Sequence, residues 1–258
     1  MCLILLAWRA HPDYPLVVAA NRDEFFSRRT AAADFWEDAP DVLAGRDLEA
    51  GGTWLGITRQ GRFAALTNFR DPQRILQGAP SRGDLVSRYL RGSELPQEFL
   101  QWLAPVAANY SGFNLVIGDR ESLWYFSNCG EGAGQLTPGI YGLSNHLLDT
   151  PWPKVARGKS ALGSALRALP DDRPFFALLR DDSIAPDEAL PRTGISLEWE
   201  RLLSAAFIST EGYGTRSATV LLMNASGNVR FVEQVFLPQA QPGERREFSL
   251  DLNGQAIR

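Results

Sequence analysis

Histidine, cysteine, methionine and lysine are all scarce in this sequence. Of 258 residues, two are His, two are Cys and two are Met. The lysines are Lys154 and Lys159, so nearly all positive charge is arginine. Two cysteines without a Cys-x-x-Cys spacing cannot build a disulfide scaffold. A zinc site draws about four ligands from Cys, His and carboxylates. His11 and His146 are far apart, and no metal-ligand spacing is visible. No metal and no cofactor are therefore expected. There is no Gly-x-Ser-x-Gly, and two histidines leave a Ser-His-Asp triad little to draw on. Excess positive charge is also missing: Lys+Arg is 26 against 30 for Asp+Glu, a net charge of −4. Such a chain lacks the electrostatic footprint of a nucleic-acid binder. Long apolar runs are absent too. The N-terminal run from Cys2 to Trp8 is seven residues, against about 20 for a membrane-spanning helix. It has no basic start and no following cleavage pattern, so it does not read as a signal peptide. No transmembrane segment and a cytoplasmic location, with both thiols reduced, are expected.

What remains is ordinary globular material, 45% hydrophobic and 22% charged. The length sits near the upper limit for one core, about 250–300 residues, and a single domain over 1–258 is expected. Residues 2–9 and 16–20 are short continuous apolar runs on either side of His11-Pro12-Asp13-Tyr14-Pro15. They read as two strands, buried on both faces, forming a hairpin. A long charged loop over roughly 21–52 follows, of a length often tied to function. Thr53 to Phe69 reads as a hairpin turning at Gln60-Gly61, and 113–117 with 123–126 as another. Ser81-Arg82-Gly83-Asp84 has the capping-box pattern ahead of a helical face of Leu85, Val86, Tyr89 and Leu90. Helices are also expected over 98–106, 154–169, 174–180 and 196–206, and strands over 140–143, 219–223 and 229–236. Gly130-Glu131-Gly132-Ala133-Gly134 lacks a phosphate-loop spacing and reads as a flexible loop. Strands, then helices, then strands is an α+β order, not the alternation of a doubly wound fold.

Cys2 is the most informative residue. Methionine aminopeptidases remove Met1 when the second side chain is small, as Cys is. Cys2 would then hold a thiol nucleophile and an α-amine of pKa about 7.7–8.0, close enough to neutral to act as base. Nucleophile and base on one residue is a known logic, and it needs no histidine. Cys is equally at home as a small apolar residue starting a strand. Asn21-Arg22-Asp23-Glu24 follows the second strand of the hairpin, so Arg22 or Asp23 can reach the start of the first. A carboxylate there can orient an ammonium or thiol, and a guanidinium can lower a thiol pKa. A solvated charged loop is the plainer alternative.

The run Ala20-Asn21-Arg22-Asp23-Glu24-Phe25 resembles the signature of the NRDE family, also called the Transport and Golgi organization protein 2 family. Gly52-Thr53-Trp54-Leu55-Gly56, Thr67-Asn68-Phe69-Arg70, Ser81-Arg82-Gly83, Tyr141-Gly142-Leu143-Ser144-Asn145-His146, Pro151-Trp152-Pro153-Lys154 and Tyr213-Gly214-Thr215-Arg216-Ser217 extend the likeness over nearly the whole chain. The spacing is also similar to that of N-terminal nucleophile hydrolases beginning with Cys, such as choloylglycine hydrolases and penicillin V acylases. That resemblance implies a four-layer αββα sandwich of antiparallel sheets. It implies Cys2 as nucleophile, Asp23 as the aspartate orienting it, Asn68 and Asn145 as oxyanion donors, and Arg216 as the late active-site arginine. Two such donors would each contribute about 2.7–4 kcal/mol, although Asn is also a common turn residue. Arg22, Asn21 and His146 are assigned to substrate binding. One departure stands out: in the hydrolases an arginine precedes the asparagine of this loop, whereas here Ala20 precedes Asn21 and Arg22 follows it. Cys129 reads as a structural thiol.

The resemblance implies a cysteine hydrolase acting on a linear amide or thioester bond of a small acyl substrate. The alternative is a non-catalytic trafficking protein binding haem, lipid or acyl-CoA on the same fold, since fold and function are separable. Haem would need an axial ligand, and His11, His146, Cys2, Cys129, the methionines and the tyrosines are the choices.

Overall fold

The computed structural model describes residues 2–254. The strands are β1 (Cys2–His11), β2 (Tyr14–Phe25), β3 (Thr30–Trp36), β4 (Ala39–Asp47), β5 (Leu55–Thr58), β6 (Phe63–Asn68), β7 (Phe113–Gly118), β8 (Leu123–Ser127), β9 (Gly132–Gln135), β10 (Gly139–Leu143), β11 (Tyr213–Met223), β12 (Asn228–Leu237) and β13 (Gln241–Asp251). The helices are α1 (Gly83–Arg91), α2 (Pro96–Leu103), α3 (Pro153–Ala165), α4 (Arg173–Leu179) and α5 (Leu197–Leu202). The α+β expectation is met by two sheets of six and seven strands with helices. The chain divides into two compact units.

The first unit takes in residues 2–27, Pro138–Ser144 and Leu148–Leu250. Its sheet runs β10-β1-β2-β11-β12-β13. β1 lies antiparallel between β2 and β10, and β2 antiparallel to β11. The apolar runs make β1 and β2 central strands, since a strand buried on both faces has no polar side to show. Leu3, Leu5, Ala7, Val17, Ala19, Val220 and Leu222 form one face of the sheet, packed with Val155 and Leu162 of α3 and Phe175 and Leu179 of α4. α3 starts after Trp152 with Pro153 in its first turn, where a missing N–H costs nothing. It approaches β1 at Gly158, where an added Cβ would stand 2.7 Å from a Leu5 methyl.

The second unit holds Arg28–Thr137, Asn145–Leu147 and residues 251–254. Its sheet is a meander, β3-β4-β5-β6-β7-β8-β9, antiparallel throughout. Leu85, Val86, Tyr89 and Leu90 of α1 and Phe99, Leu100 and Leu103 of α2 pack with Ala64, Leu66, Leu115 and Ile117. The amphipathic spacing read at 85–90 is the buried face of α1, as expected.

Several local expectations are corrected. Residues 21–52 are not one loop: β2 runs on to Phe25, and β3 and β4 form a hairpin. Asn21 to Glu24 keep extended geometry because β11 pairs with them. The run 130–134 is not a flexible loop throughout, because Gly132–Gln135 is an edge strand paired with β8. Ser81 makes no side-chain cap: Arg82 is the N-cap of α1 without a capping bond, and the Ser81 carbonyl takes the Asp84 N–H. The expected helix at 98–106 begins at Pro96 and tightens to 3-10 geometry after Leu103. That at 196–206 is only Leu197–Leu202. The strand expected at 219–223 begins at Tyr213, and β13 was not foreseen.

Candidate active site

In the first unit, Cys2 opens β1 directly across from Arg22, and Leu3 across from Asn21. Side chains alternate along a strand. Cys2 and Arg22 therefore share one face of the sheet, and Leu3, Asn21 and Asp23 the other. Leu3 belongs to the helix-packed core, and Asn21 points the same way. Its amide donates to the Leu179 carbonyl at 2.7 Å and to the Ala206 carbonyl at 2.8 Å. Asn21 has no exposed surface. Through these two bonds it fastens α4 and the 203–208 segment to the sheet.

Asp23 is also buried. Its Oδ1 accepts from the Thr215 hydroxyl at 2.8 Å, and Thr215 is its register partner on β11. The same hydroxyl accepts from the Ile208 N–H at 2.9 Å, while the Thr215 N–H donates to the Ile208 carbonyl at 2.8 Å. Asp23 is thus tied through Thr215 to the backbone of the 208 segment. Its own backbone N–H bonds the Cys2 sulfur.

The Cys2 residue is half-buried, with its thiol in dense surroundings. Burial pushes the thiol up from its ordinary pKa, and the Asp23 charge adds to this. The Arg22 guanidinium and the Asp23 N–H pull the other way without reversing the shift. A thiol held neutral needs a base before it can attack. The Ser144 hydroxyl donates to the Cys2 carbonyl at 3.0 Å, fixing the start of β1.

Arg216 stands at a β-bulge. The β2–β11 register passes from Thr215 opposite Asp23 to Ser217 opposite Arg22, so Arg216 is the extra residue. Bulges re-aim side chains. Arg216 Nη1 donates to the Phe25 carbonyl at 2.9 Å, and its guanidinium lies 5.3 Å from the centre of the Phe26 ring. Burial and the Arg22 charge lower its pKa, while Glu24 opposes them.

The second unit brings together Asn68, Asn145 and His146. Asn68 ends β6, and its carbonyl accepts from Asn145 Nδ2 at 2.9 Å. The Asn145 carbonyl in turn accepts the Arg70 N–H at 2.7 Å. The His146 ring lies 4.8 Å from that of Phe69, and burial lowers its pKa. Asn114 supports this group from β7: its amide donates to the Thr67 hydroxyl at 3.1 Å and to the His146 carbonyl at 2.9 Å, and Tyr125 donates to its Oδ1 at 2.7 Å. Asn114, Tyr125 and Thr215 were not singled out from the sequence. Asn114 left a trace there, as the one polar residue in the apolar run Phe113–Ile117.

Among the described residues no cluster of three or more His, Cys, Asp or Glu is arranged to hold a metal ion, and no helix is long and apolar enough to cross a membrane. Neither Cys2 nor Cys129 is in a disulfide.

Comparison with solved structures finds a Caenorhabditis elegans N-acylethanolamine-hydrolyzing acid amidase ortholog, with a TM-score of 0.51 over 86% of this chain and 92% of that one. Identity is 12%, so the likeness shows the fold alone: the αββα fold of N-terminal nucleophile hydrolases. Among characterised sequences, the Transport and Golgi organization protein 2 homolog of Bos taurus is 38% identical, covering 92% of this chain and 94% of its own. The Homo sapiens homolog is 38% identical over 91% and 92%, and the Drosophila melanogaster protein 29% over 95% of each. The Transport and Golgi organisation 2 family model matches residues 1–238, and the chain belongs to that family.

Proposed function

We propose that the chain is an N-terminal cysteine hydrolase cleaving a linear amide or thioester bond of a small acyl substrate. The observation carrying this reading is Cys2 itself. It sits at the first residue of a central strand, with its sulfur bonded by the Asp23 N–H and its register partner an arginine. In this reading Met1 is removed and the freed α-amine takes the thiol proton. The sulfur attacks the carbonyl carbon, and negative charge moves to the carbonyl oxygen. Collapse expels the amine or thiol, which leaves with the proton, and forms a Cys2 thioester. Water then attacks the thioester, giving the acid and restoring the thiol. Asn68 and Asn145 take the oxyanion-donor part that the family resemblance gives them. Asp23, fixed by Thr215, is a positioning residue. A thiol raised by burial suits the scheme, because proton transfer to the amine is then coupled to attack. The reducing cytoplasm suits a chain that needs a free thiol.

The test is intact mass together with an electrophilic acyl probe. The expected result is protein lacking Met1, labelled once at Cys2 and unlabelled in Cys2→Ala. Quantitative retention of Met1, or equal labelling of the variant, refutes the reading. A second reading, the alternative that the family resemblance leaves, is a non-catalytic binder of haem, lipid or acyl-CoA; it is favoured by relatives whose names speak of transport and Golgi organization and of no reaction. A haem titration with a Soret shift abolished by replacing His146 or Cys129 supports haem; an unshifted spectrum removes it.

A further inference from the structure

We infer that Asp149 is a positioning residue of the Cys2 site: it clasps the base of the loop that carries Ser144 and so holds the backbone of the nucleophile in place. The inference rests on the hydrolase reading for the identity of the nucleophile, and its test separates the two. The clasp lies at the edge of the six-stranded sheet. β10 is the edge strand beyond β1, and its pairing with β1 ends at Leu143 opposite Ile4. Gly142 stands opposite Leu5. Its N–H donates to Asp149 Oδ1 at 2.8 Å, and its carbonyl accepts the Asp149 N–H at 2.8 Å. Both backbone groups of Gly142 therefore turn away from β1, to the side where an edge strand has no neighbour. Gly142 is buried, so these groups need partners within the protein, and Asp149 supplies both.

Asp149 has a φ of 58°, in the left-handed region that Asp adopts more readily than most side chains. That turn lets one residue present its N–H and its carboxylate to the same strand residue. Lys159 of α3 bonds the same Oδ1 at 2.8 Å. The helix lies close to β10 here: a Cβ added to Gly142 would stand 2.7 Å from Val155 Cγ1 and 3.0 Å from Lys159 Cγ. The excursion from Leu143 to Leu148 is thus closed at its base by the sheet edge, Asp149 and α3. Ser144 is the first residue past the ladder. Its hydroxyl donates to the Cys2 carbonyl at 3.0 Å, taking over on the β10 side where the backbone pairing stops. On the other side β2 holds Cys2 through its register with Arg22. Loss of the clasp loosens the loop, and the Ser144 bond with it. A misplacement of about 1 Å can cost about a hundredfold in rate, so Asp149 acts on the reaction through Cys2 without touching the substrate.

The experiment treats the full chain with two reagents. Iodoacetamide alkylates an accessible thiol and needs no alignment. p-Nitrophenyl butyrate acylates an aligned Cys2 thiol and releases p-nitrophenolate. Peptide mass spectrometry reads alkylation of Cys2 and Cys129 separately, with Cys129 as the internal control. In Ser144→Ala and Asp149→Gly, Cys2 should alkylate about fivefold faster, the factor that one ordinary hydrogen bond controls, with Cys129 unchanged. Gly accepts a positive φ, so Asp149→Gly removes the acceptor without straining the turn. The double variant should be no faster than the faster single, since the two residues act as one unit. Asp149→Asn keeps an Oδ1 acceptor and should restore the wild-type rate. The nitrophenolate burst should slow about tenfold or more in Ser144→Ala and Asp149→Gly and recover in Asp149→Asn. A Cys2 rate unmoved by Asp149→Gly, a joint rise at Cys2 and Cys129, additive effects in the double variant, or no recovery with Asn overturns the inference. If Asp149→Gly does not fold, hydrogen exchange in the wild type decides. The Gly142 and Asp149 amides should then be protected like those of the central strands, and fast exchange at either refutes the clasp. A wild type that gives no burst but shows the alkylation pattern refutes the hydrolase reading and leaves the positioning of Cys2 standing.

Discussion

Replacing Thr215 by Val tests whether Asp23 is held as the structure shows. Val keeps the branched shape and the strand preference of Thr, so the change isolates the hydroxyl. That hydroxyl donates to Asp23 Oδ1 at 2.8 Å and accepts from the Ile208 N–H at 2.9 Å. Asp23 and Thr215 are both 1% exposed, so water cannot readily replace either bond. A hydrogen bond to a charged group is worth about 1.5–3 kcal/mol, and a buried donor left without its acceptor costs about 1–3 kcal/mol. The two losses share one atom and do not add fully, giving about 3 kcal/mol for Thr215→Val. Thr215→Ser keeps both bonds, loses one buried methyl and should cost about 1 kcal/mol. In urea melts followed by tryptophan fluorescence, 3 kcal/mol over a slope of at most about 3 kcal/mol per molar moves the midpoint by about 1 M or more. If Val and Ser variants melt together, the hydroxyl is not what holds Asp23, and its positioning role falls.

Three further outcomes follow. Asn21→Ala leaves the Leu179 and Ala206 carbonyls without their donor; it should cost about 2–4 kcal/mol in the same melts, and a neutral result refutes the fastening role. Gly158→Ala places a methyl 2.7 Å from a Leu5 methyl and should destabilise by about 1–3 kcal/mol despite the better helix propensity of Ala; Leu5→Val should restore part of the loss, and a stabilised Gly158→Ala protein refutes the close approach. Asp38 is bonded by Arg46 and Arg91, which hold its carboxyl well below the usual range. Because the folded value lies below the unfolded one, its stabilising contribution is present above the ordinary carboxylate range and is lost as pH falls through the folded value. Carboxyl NMR should show Asp38 still ionised where exposed aspartates have protonated, and a titration alongside them disproves the bridge.

Elements carried by apolar runs between turns were legible without coordinates: β1 and β2, the hairpins β5–β6 and β7–β8, and the face of α1. β3 and β4 were not, because their buried residues, Ala33 and the run Val42-Leu43-Ala44, are few and are flanked by Asp34, Asp41 and Gly45. β13 was hidden because Gln241–Asp251 is an edge strand, mostly exposed, carrying Glu244, Arg245, Arg246 and Glu247. Its strand geometry comes from its neighbour and not from its own periodicity. At the site, that Arg22 or Asp23 lies within reach of Cys2 followed from two apolar runs joined by a short turn. The bond from Thr215 to Asp23 spans 192 positions, and no local pattern encodes a partner that far away.

The sequence by itself determined the chemistry available. With two histidines and no metal-ligand spacing, it left Cys2 as the candidate nucleophile, and its order of strands, then helices, then strands set the α+β class. Only the tertiary structure decided which members of Asn21-Arg22-Asp23-Glu24 face Cys2. The period of two along β2 puts Arg22 on the face of the thiol, while Asn21 and Asp23 turn into the helix-packed side. The bulge in β11 then brings Arg216 beside Arg22. Strand register depends on hydrogen bonds between distant segments, and a shift of one residue would reverse every one of those faces.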